Sequence, residues 1–340
     1  DYQIETCNPC GEQPLAKDFC CNLGSLNLAE FVENEYTENA AINYDELRKA
    51  INTAIIALDT LVDENLPNHP TESQRQNSKN YRNIGLGIMG LSTALFKLGL
   101  KYGSDEAKSF IDTIFDFIFR KSVFASNKLA KYKGRFPKYK DCVLDSGIIK
   151  NHFSKDEIQM LKKFGLRNCS LLSIAPNGSI ATMLGITGGC EPEFAIKYTR
   201  KTDNLKDSYD IYCNEAKHYM DKFNTSELPD YFICSADINW KDRIDIQSIM
   251  QKHIDTAISS TVNLPNTTSI EDVEKLYLYA WEKKLKGITI YRDGCKRSGI
   301  LITSDTNSEG DAPIELSRGD IIQVNDDVVG KKRKLVTGCG

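Results

Sequence analysis

Four thiols and a carboxylate crowd one short stretch near the start of the chain. It reads Cys7-Asn8-Pro9-Cys10-Gly11-Glu12-Gln13-Pro14-Leu15, and Cys20-Cys21-Asn22-Leu23-Gly24-Ser25-Leu26-Asn27-Leu28 follows closely. Two prolines and a glycine in nine residues exclude a regular helix or a central strand, leaving a shaped loop. Three chemistries are open to it. As a C-x-x-C pair, Cys7 and Cys10 could hold zinc or form a thioredoxin-type redox couple. Zinc wants a second pair at matching spacing, and adjacent Cys20-Cys21 suits one tetrahedral ion badly. The redox couple wants a helix next, and no helical pattern follows Cys10. The third chemistry uses Cys10 with Glu12. In an extended loop, residues two apart point the same way, which puts Asn8, Cys10 and Glu12 on one face. A nearby carboxylate raises a thiol's pKa and spoils it as a thiolate nucleophile. A neutral sulfur can instead exchange a hydrogen atom while the carboxylate takes a proton from a hydroxyl. That is radical chemistry on an alcohol.

Two further motifs involve glycine. Gly85-Leu86-Gly87-Ile88-Met89-Gly90 matches GxGxxG letter for letter. A dinucleotide fingerprint needs a buried strand immediately before it, and the polar run Gln74–Asn83 is none. A close-packed glycine segment leading into a helix over Leu91–Leu98 fits better. Pro176-Asn177-Gly178-Ser179-Ile180-Ala181 follows an apolar run and could open a helix whose free N–H groups take a phosphate. An ordinary turn reads equally well, and no Gly-Lys-Ser/Thr follows to make a Walker loop.

The elements that must position these residues are readable from spacing. Asn22–Phe31 is apolar enough for a buried strand. Asn43 caps a helix through Leu47, Ile51, Ile55 and Leu58, and Ser104 caps a longer one through Ile111, Phe115 and Phe119. Residues 67–83 read as a polar loop. Ser154 and Glu157 form a capping box for a helix that Gly165 stops. Cys169–Ala175 reads as a buried strand, Asp245–Ala257 as a helix and Ser259–Leu264 as a strand. Ser269 caps a helix stopped by Gly287, and Ile288–Tyr291 is a last strand. Helices alternating with short buried strands predict α/β architecture with mostly parallel strands. Residues 303–314 have linker composition, and Lys331-Lys332-Arg333-Lys334 reads as a solvated basic run.

Composition narrows the class. Hydrophobic residues are 41% and charged residues 26% of 340, and the net charge of −4 is well mixed. This balance suits a globular protein and offers no general nucleic-acid surface. No apolar run is long enough to span a bilayer and no signal peptide opens the chain, so a cytoplasmic protein with mostly reduced thiols is expected. The cysteines outside the loop read as small core hydrophobes.

Taken in order, Asn8-Pro9-Cys10-Gly11-Glu12-Gln13-Pro14-Leu15, Cys21-Asn22-Leu23-Gly24-Ser25-Leu26-Asn27-Leu28, Arg82–Gly90, Ile174–Ile180, Thr261-Val262-Asn263-Leu264-Pro265 and Gly287–Gly294 resemble the catalytic subunit of ribonucleotide reductase. The resemblance implies a ten-stranded α/β barrel of two five-stranded halves, with a finger loop carrying the radical cysteine to its centre. Residues 1–300 would be the C-terminal half of that barrel, and 301–340 a linker and truncated tail. Cys10 would be the thiyl radical that abstracts the ribose 3′-hydrogen, Glu12 the acceptor of the 3′-hydroxyl proton, and Asn8 a hydrogen-bond partner of the nucleotide. Cys21 would be one of the two cysteines that reduce the 2′ position. Asn177, Gly178, Ser179, Ile180 and Ala181 would bind substrate phosphate, although family members usually carry threonine or serine where Asn177 stands. A single Tyr291 followed by Arg292, where class I enzymes carry adjacent tyrosines, implies the class II branch with adenosylcobalamin as cofactor. The alternative is a class I large subunit fed by a metal-containing radical subunit. A split enzyme is expected, its partners an N-terminal half on a separate chain, a nucleotide (a diphosphate), a thioredoxin-like reductant and further copies in a higher oligomer, with no nucleic acid and no membrane.

Overall fold

In the computed structural model, residues 3–202 and 205–294 are described. The chain first doubles back on itself: β1 (Thr6–Cys7) pairs antiparallel with β2 (Pro14–Leu15), Cys7 opposite Pro14. β3 (Leu23–Asn27) follows, then the short antiparallel pair β4 (Val32–Glu33) and β5 (Ala41–Ile42). Asn43 caps α1 (Tyr44–Asn65) by accepting the Glu46 N–H, and Leu47, Ile51, Ile55, Leu58 and Val62 bury one stripe of it.

The stretch expected as a loop over residues 67–83 contains a helix, α2 (Glu72–Tyr81). Thr71 caps it by accepting the Gln74 N–H, and Arg82 closes it in the left-handed region at φ 50°. Ser78 is its only buried residue, so no apolar stripe marks it in the sequence.

β6 (Gly85–Met89) is buried at every residue and runs parallel to β3, from Leu23↔Gly85 to Asn27↔Met89. Its glycines work by being small. A Cβ on Gly87 would lie 2.3 Å from the Ser173 carbonyl oxygen, and one on Gly85 within 2.6–2.8 Å of Leu23, Gln13 and Ser173. The close-packed reading therefore holds, with the segment itself a strand preceded by a helix, and it leads into α3 (Leu91–Lys97). α4 (Asp105–Lys133), α5 (Gly147–His152) and α6 (Lys155–Phe164) follow; the Ser154–Glu157 capping box and the Gly165 stop are both present.

Residues 169–175 do not form a full strand. They contribute single parallel bridges, Leu86↔Leu172 and Ile174↔Ile258. Asp255 accounts for the short ladder, because its carboxylate accepts the N–H groups of Leu171 and Leu172 at 2.8 and 2.7 Å. α7 (Gly178–Leu184) opens where the sequence placed a helix start, and β7 (Lys197–Thr202) pairs antiparallel with β8 (Leu205–Tyr212). After α8 (Asn214–Phe223), α9 spans Trp240–Gln251 rather than 245–257. It stops there because Thr256 and Ala257 donate their N–H groups to Leu172 and Glu12 instead. β9 (Thr261–Leu264), α10 (Ile270–Glu282) and β10 (Thr289–Arg292) complete the described chain. Lys284 at φ 61° turns the chain after α10, ahead of the expected stop at Gly287.

In space, β3, β6, residues 171–174, residues 258–264 with β9, and β10 follow one another in one parallel row. α1 packs on α4, α4 on α9 and α9 on α10. Between row and helices lies the core, with Ile51, Ile55, Leu86, Ile88, Phe115, Phe119, Leu172 and Ile174 all buried. The architecture is α/β with parallel strands, as the alternation predicted; no closed barrel forms among the described residues. The 303–314 linker and the basic run at 331–334 lie outside the described residues.

Candidate active site

The loop that holds Cys7 and Cys10 is the tip of the β1–β2 hairpin, and Asn8 builds it. The Asn8 carbonyl accepts the Gly11 N–H at 2.9 Å, and its side-chain Oδ1 accepts the Gln13 N–H at 3.0 Å. Gly11 sits at φ 80°, a conformation that favours glycine. The tip is thus a turn, not the extended loop expected, and the alternating face fails with it. Cys7 and Cys10 are exposed, while Glu12 is 2% and Gln13 1% accessible.

What lies under the tip is more specific. The Glu12 carbonyl accepts the Ser173 hydroxyl at 2.9 Å and the Ala257 N–H at 3.1 Å, which fastens the hairpin to the parallel row. Glu12 Oε2 and Gln13 Nε2 are buried without a hydrogen-bond partner among the described residues. Buried polar atoms are nearly always paired, so two such atoms side by side in sequence mark a place with unspent binding capacity. Cys21 reaches the same region from the start of β3. Its residue surface is largely exposed, yet the protein around its sulfur pushes the thiol pKa up by desolvation, and Glu12, Cys20 and Cys10 push it further. Three of the sequence-predicted residues, Cys10, Glu12 and Cys21, are therefore within electrostatic reach of one another. The neighbouring backbone is pinned: Asn22 Nδ2 donates to the Leu58 carbonyl at 2.9 Å and Asn83 Nδ2 to the Cys20 carbonyl at 2.7 Å. Cys20 Sγ itself lies 3.6 Å from His69 Nδ1, a contact across 49 residues that spacing could not reveal.

Cys10 also borders a cleft of about 550 Å³ lined by Cys7, Asn8, Gly11, Asp255 and Lys286 among others. Lys286 Nζ donates to the Asp255 carbonyl at 2.9 Å, and burial of that ammonium lowers its pKa against the pull of the Asp255 charge. Asp255 and Lys286 sit in no motif, and sequence reasoning passed over both. Glu12, Cys21 and the 177–181 turn do not line this cleft.

Asn177 stands at φ 55° before α7 and turns its amide inward, donating to Ser25 Oγ at 2.9 Å, the Ala175 carbonyl at 3.1 Å and the Ile88 carbonyl at 3.2 Å. The turn is thereby fixed to β3 and β6. Gly178, Ser179 and Ile180 are exposed and Ala181 is buried. The N–H groups of Gly178, Ser179 and Ile180 begin the helix and so have no intrahelical acceptor, whereas the Ala181 N–H donates to the Asn177 carbonyl at 2.9 Å.

The family profile described as "Ribonucleotide reductase, barrel domain" matches residues 1–291. A vitamin B12-dependent ribonucleoside-diphosphate reductase of Mycobacterium tuberculosis (strain CDC 1551 / Oshkosh) is 31% identical over 319 residues, covering 88% of this chain and 43% of the relative. One of the same description from Thermoplasma acidophilum is 30% identical, covering 88% and 39%. A ribonucleoside-diphosphate reductase subunit alpha of Chlamydia pneumoniae is 27% identical, covering 89% and 32%. The chain spans less than half the length of these relatives.

Proposed function

Because the chain belongs to the ribonucleotide reductase barrel-domain family, we propose that it carries the radical cysteine and the proton acceptor of a ribonucleoside-diphosphate reductase. Cys10, as a thiyl radical, takes the ribose 3′-hydrogen atom. Glu12 accepts the 3′-hydroxyl proton and returns it to the 3′-oxygen at the end of the cycle, and the Asn8 amide hydrogen-bonds the nucleotide. Cys21 and a second thiol supplied from outside this region give two electrons and two protons as they oxidise to a disulfide. The 2′-hydroxyl leaves as water, and the hydrogen atom returns to C3′ from Cys10. Gly178, Ser179 and Ile180 take the substrate phosphate through backbone N–H groups, while Asn177 holds the turn in place through its inward amide and through its carbonyl, which accepts the Ala181 N–H.

One observation carries this reading: two residues from an exposed cysteine stands a buried carboxylate, one oxygen of which has no partner among the described residues, and the same carboxylate helps keep the Cys21 thiol protonated. A thiol that must give up hydrogen, rather than attack as an anion, is served by that arrangement. It does not serve the zinc and thioredoxin readings, which need thiolates.

The parallel row is proposed to be the second half of a ten-stranded barrel. Among the described residues no strand pairs with the outer edge of β3 or of β10, and such edges need cover. A complementary reductase half would supply it, together with the second reducing thiol. A thioredoxin-like protein is proposed as reductant and a higher oligomer as the assembled state, in the cytoplasm.

Adenosylcobalamin is proposed as the cofactor; when bound it supplies the radical that removes the thiol hydrogen of Cys10. This chain meets the requirement for access, since Cys10 is exposed and faces the 550 Å³ cleft. The class I alternative needs a tyrosine pair for a relay. Here Arg292 follows Tyr291 and donates to the backbone carbonyls of Thr268 and Asn266. Relatives named vitamin B12-dependent support the same choice. The test is deoxynucleotide formation from a ribonucleoside diphosphate by this chain with its complementary half and a dithiol. Product that requires adenosylcobalamin supports the reading; product that ignores it and requires a metal-radical protein supports class I.

A further inference from the structure

Away from the hairpin, two histidines from distant parts of the chain meet two aspartates one turn apart on α4. His152 Nε2 lies 2.8 Å from His253 Nδ1 and 3.9 Å from Asp116 Oδ1. One ligand atom from each of Asp116, His152 and His253 lies within 4.8 Å of the other two. The outer nitrogen of each ring is already oriented. His152 Nδ1 faces the Ile148 carbonyl at 2.6 Å, and His253 Nε2 faces Asp112 Oδ1 at 3.0 Å.

Counting protons shows what is missing. The Ile148 carbonyl can only accept, so His152 must carry its proton on Nδ1. The Asp112 oxygen stands as acceptor to His253 Nε2, so His253 carries its proton there. Two neutral rings have then used both N–H protons, and the facing nitrogens present two lone pairs to each other 2.8 Å apart. The centre of the cluster therefore calls for one added cation. Metal-bound histidines have the same arrangement, a carbonyl or carboxylate behind each ring fixing the tautomer that leaves the other nitrogen free to ligate.

We propose that Asp116, His152 and His253 form a binding site for a divalent ion of borderline softness, of the Zn²⁺ type, with Asp112 and the Ile148 carbonyl orienting the two rings. Two imidazoles and one carboxylate match the donor preference of such ions and leave a fourth position open. Both histidine side chains are nearly buried, at 5% and 7% accessible, while Asp116 is 45% accessible and opens the site to solvent. Two nitrogens on one tetrahedral zinc stand roughly 3.3 Å apart at ~2.05 Å bond lengths, so the rings need part only by about half an ångström. Lys252, 3.7 Å from Asp112, offsets one of the two carboxylate charges, leaving the other for the ion.

Co²⁺ titrated into the chelator-treated 340-residue chain tests this, because its visible bands report coordination directly. We expect saturation at one equivalent, the bands of a four-coordinate nitrogen and oxygen site, and no near-ultraviolet thiolate band. Asp116→Asn, an exposed change that leaves the helix intact, should abolish those bands. Asp112→Asn should weaken binding roughly 10- to 100-fold, as loss of a supporting carboxylate does. Circular dichroism checks that each variant is folded. Absence of one-equivalent binding means that the added cation is a proton and overturns the site. Bands with thiolate character that survive Asp116→Asn would place the metal on the cysteine cluster and overturn it equally.

Discussion

Ser173 donates its hydroxyl to the backbone carbonyl of Glu12 at 2.9 Å, joining the middle of the parallel row to the tip of the reactive hairpin. The contact holds the main chain and does not engage the Glu12 carboxylate. Position and chemistry of that residue are thus handled by different atoms.

Ser173→Ala removes this bond but keeps the Ala257 N–H on the same carbonyl. One neutral hydrogen bond is worth about 1 kcal/mol, so thermal stability should fall slightly. Turnover should fall more, by about tenfold, because small displacements of a catalytic group are costly. Equal small losses in both would show that the bond is structural only.

Gly87 and Gly11 should respond differently to alanine. At Gly87 the new Cβ meets the Ser173 carbonyl at 2.3 Å, backbone against backbone, and nothing flexible can yield. We expect a loss of about 3 kcal/mol or more, read by denaturant unfolding. At Gly11 there is open space but φ is 80°, so alanine should cost only about 1–2 kcal/mol. Reversal of that order would contradict the packing described for β6.

The Cys21 thiol is held up first by desolvation and then by Glu12, Cys20 and Cys10. Removing the carboxylate charge in Glu12→Gln should shift the pH profile of Cys21 alkylation to lower pH, measured by mass spectrometry of the labelled peptide. Desolvation remains, so the profile should stay above that of a free thiol. An unmoved profile would separate Glu12 from Cys21.

Glu35 supplies a pH-dependent contribution to stability. Burial alone would raise its pKa, but hydrogen bonds from Lys222 and His218 and the nearby Lys97 ammonium outweigh it and lower the value from 4.5 to about 2. A depressed carboxylate stabilises the fold fully above its unfolded pKa and loses that contribution as pH falls through the folded one. The gap in melting temperature between the native chain and Glu35→Gln should therefore be open above pH 4.5 and close toward about pH 2. A gap independent of pH would contradict the ion pairs.

Much of this was legible where the signal is local. Caps at Asn43, Ser104, Ser154 and Ser269, and apolar spacing behind them, located α1, α4, α6 and α10. The chemistry proposed for Cys10 and Glu12 rests on residue types alone. Their geometry was not legible, because Asn8 spends its side chain on closing a turn, which reverses the expected alternation. Helix α2 escaped because it has no apolar face to display. Asp59 lies buried among Arg82 at 2.9 Å, Arg167 at 3.2 Å and Asn168 at 3.2 Å, partners 23 to 109 positions away. The His152–His253 contact spans 101 positions. Pairings of this kind have no period and no motif, and only folding brings them together.

Of the two cysteines at the hairpin, Cys10 alone is proposed to carry the reaction. The direct measurement is deoxynucleotide formation by this chain with its complementary half, adenosylcobalamin and a dithiol, comparing Cys7→Ser and Cys10→Ser. Cys7→Ser should give near-native product and Cys10→Ser none above background. Product from Cys10→Ser, or equal loss in both variants, would contradict the proposal.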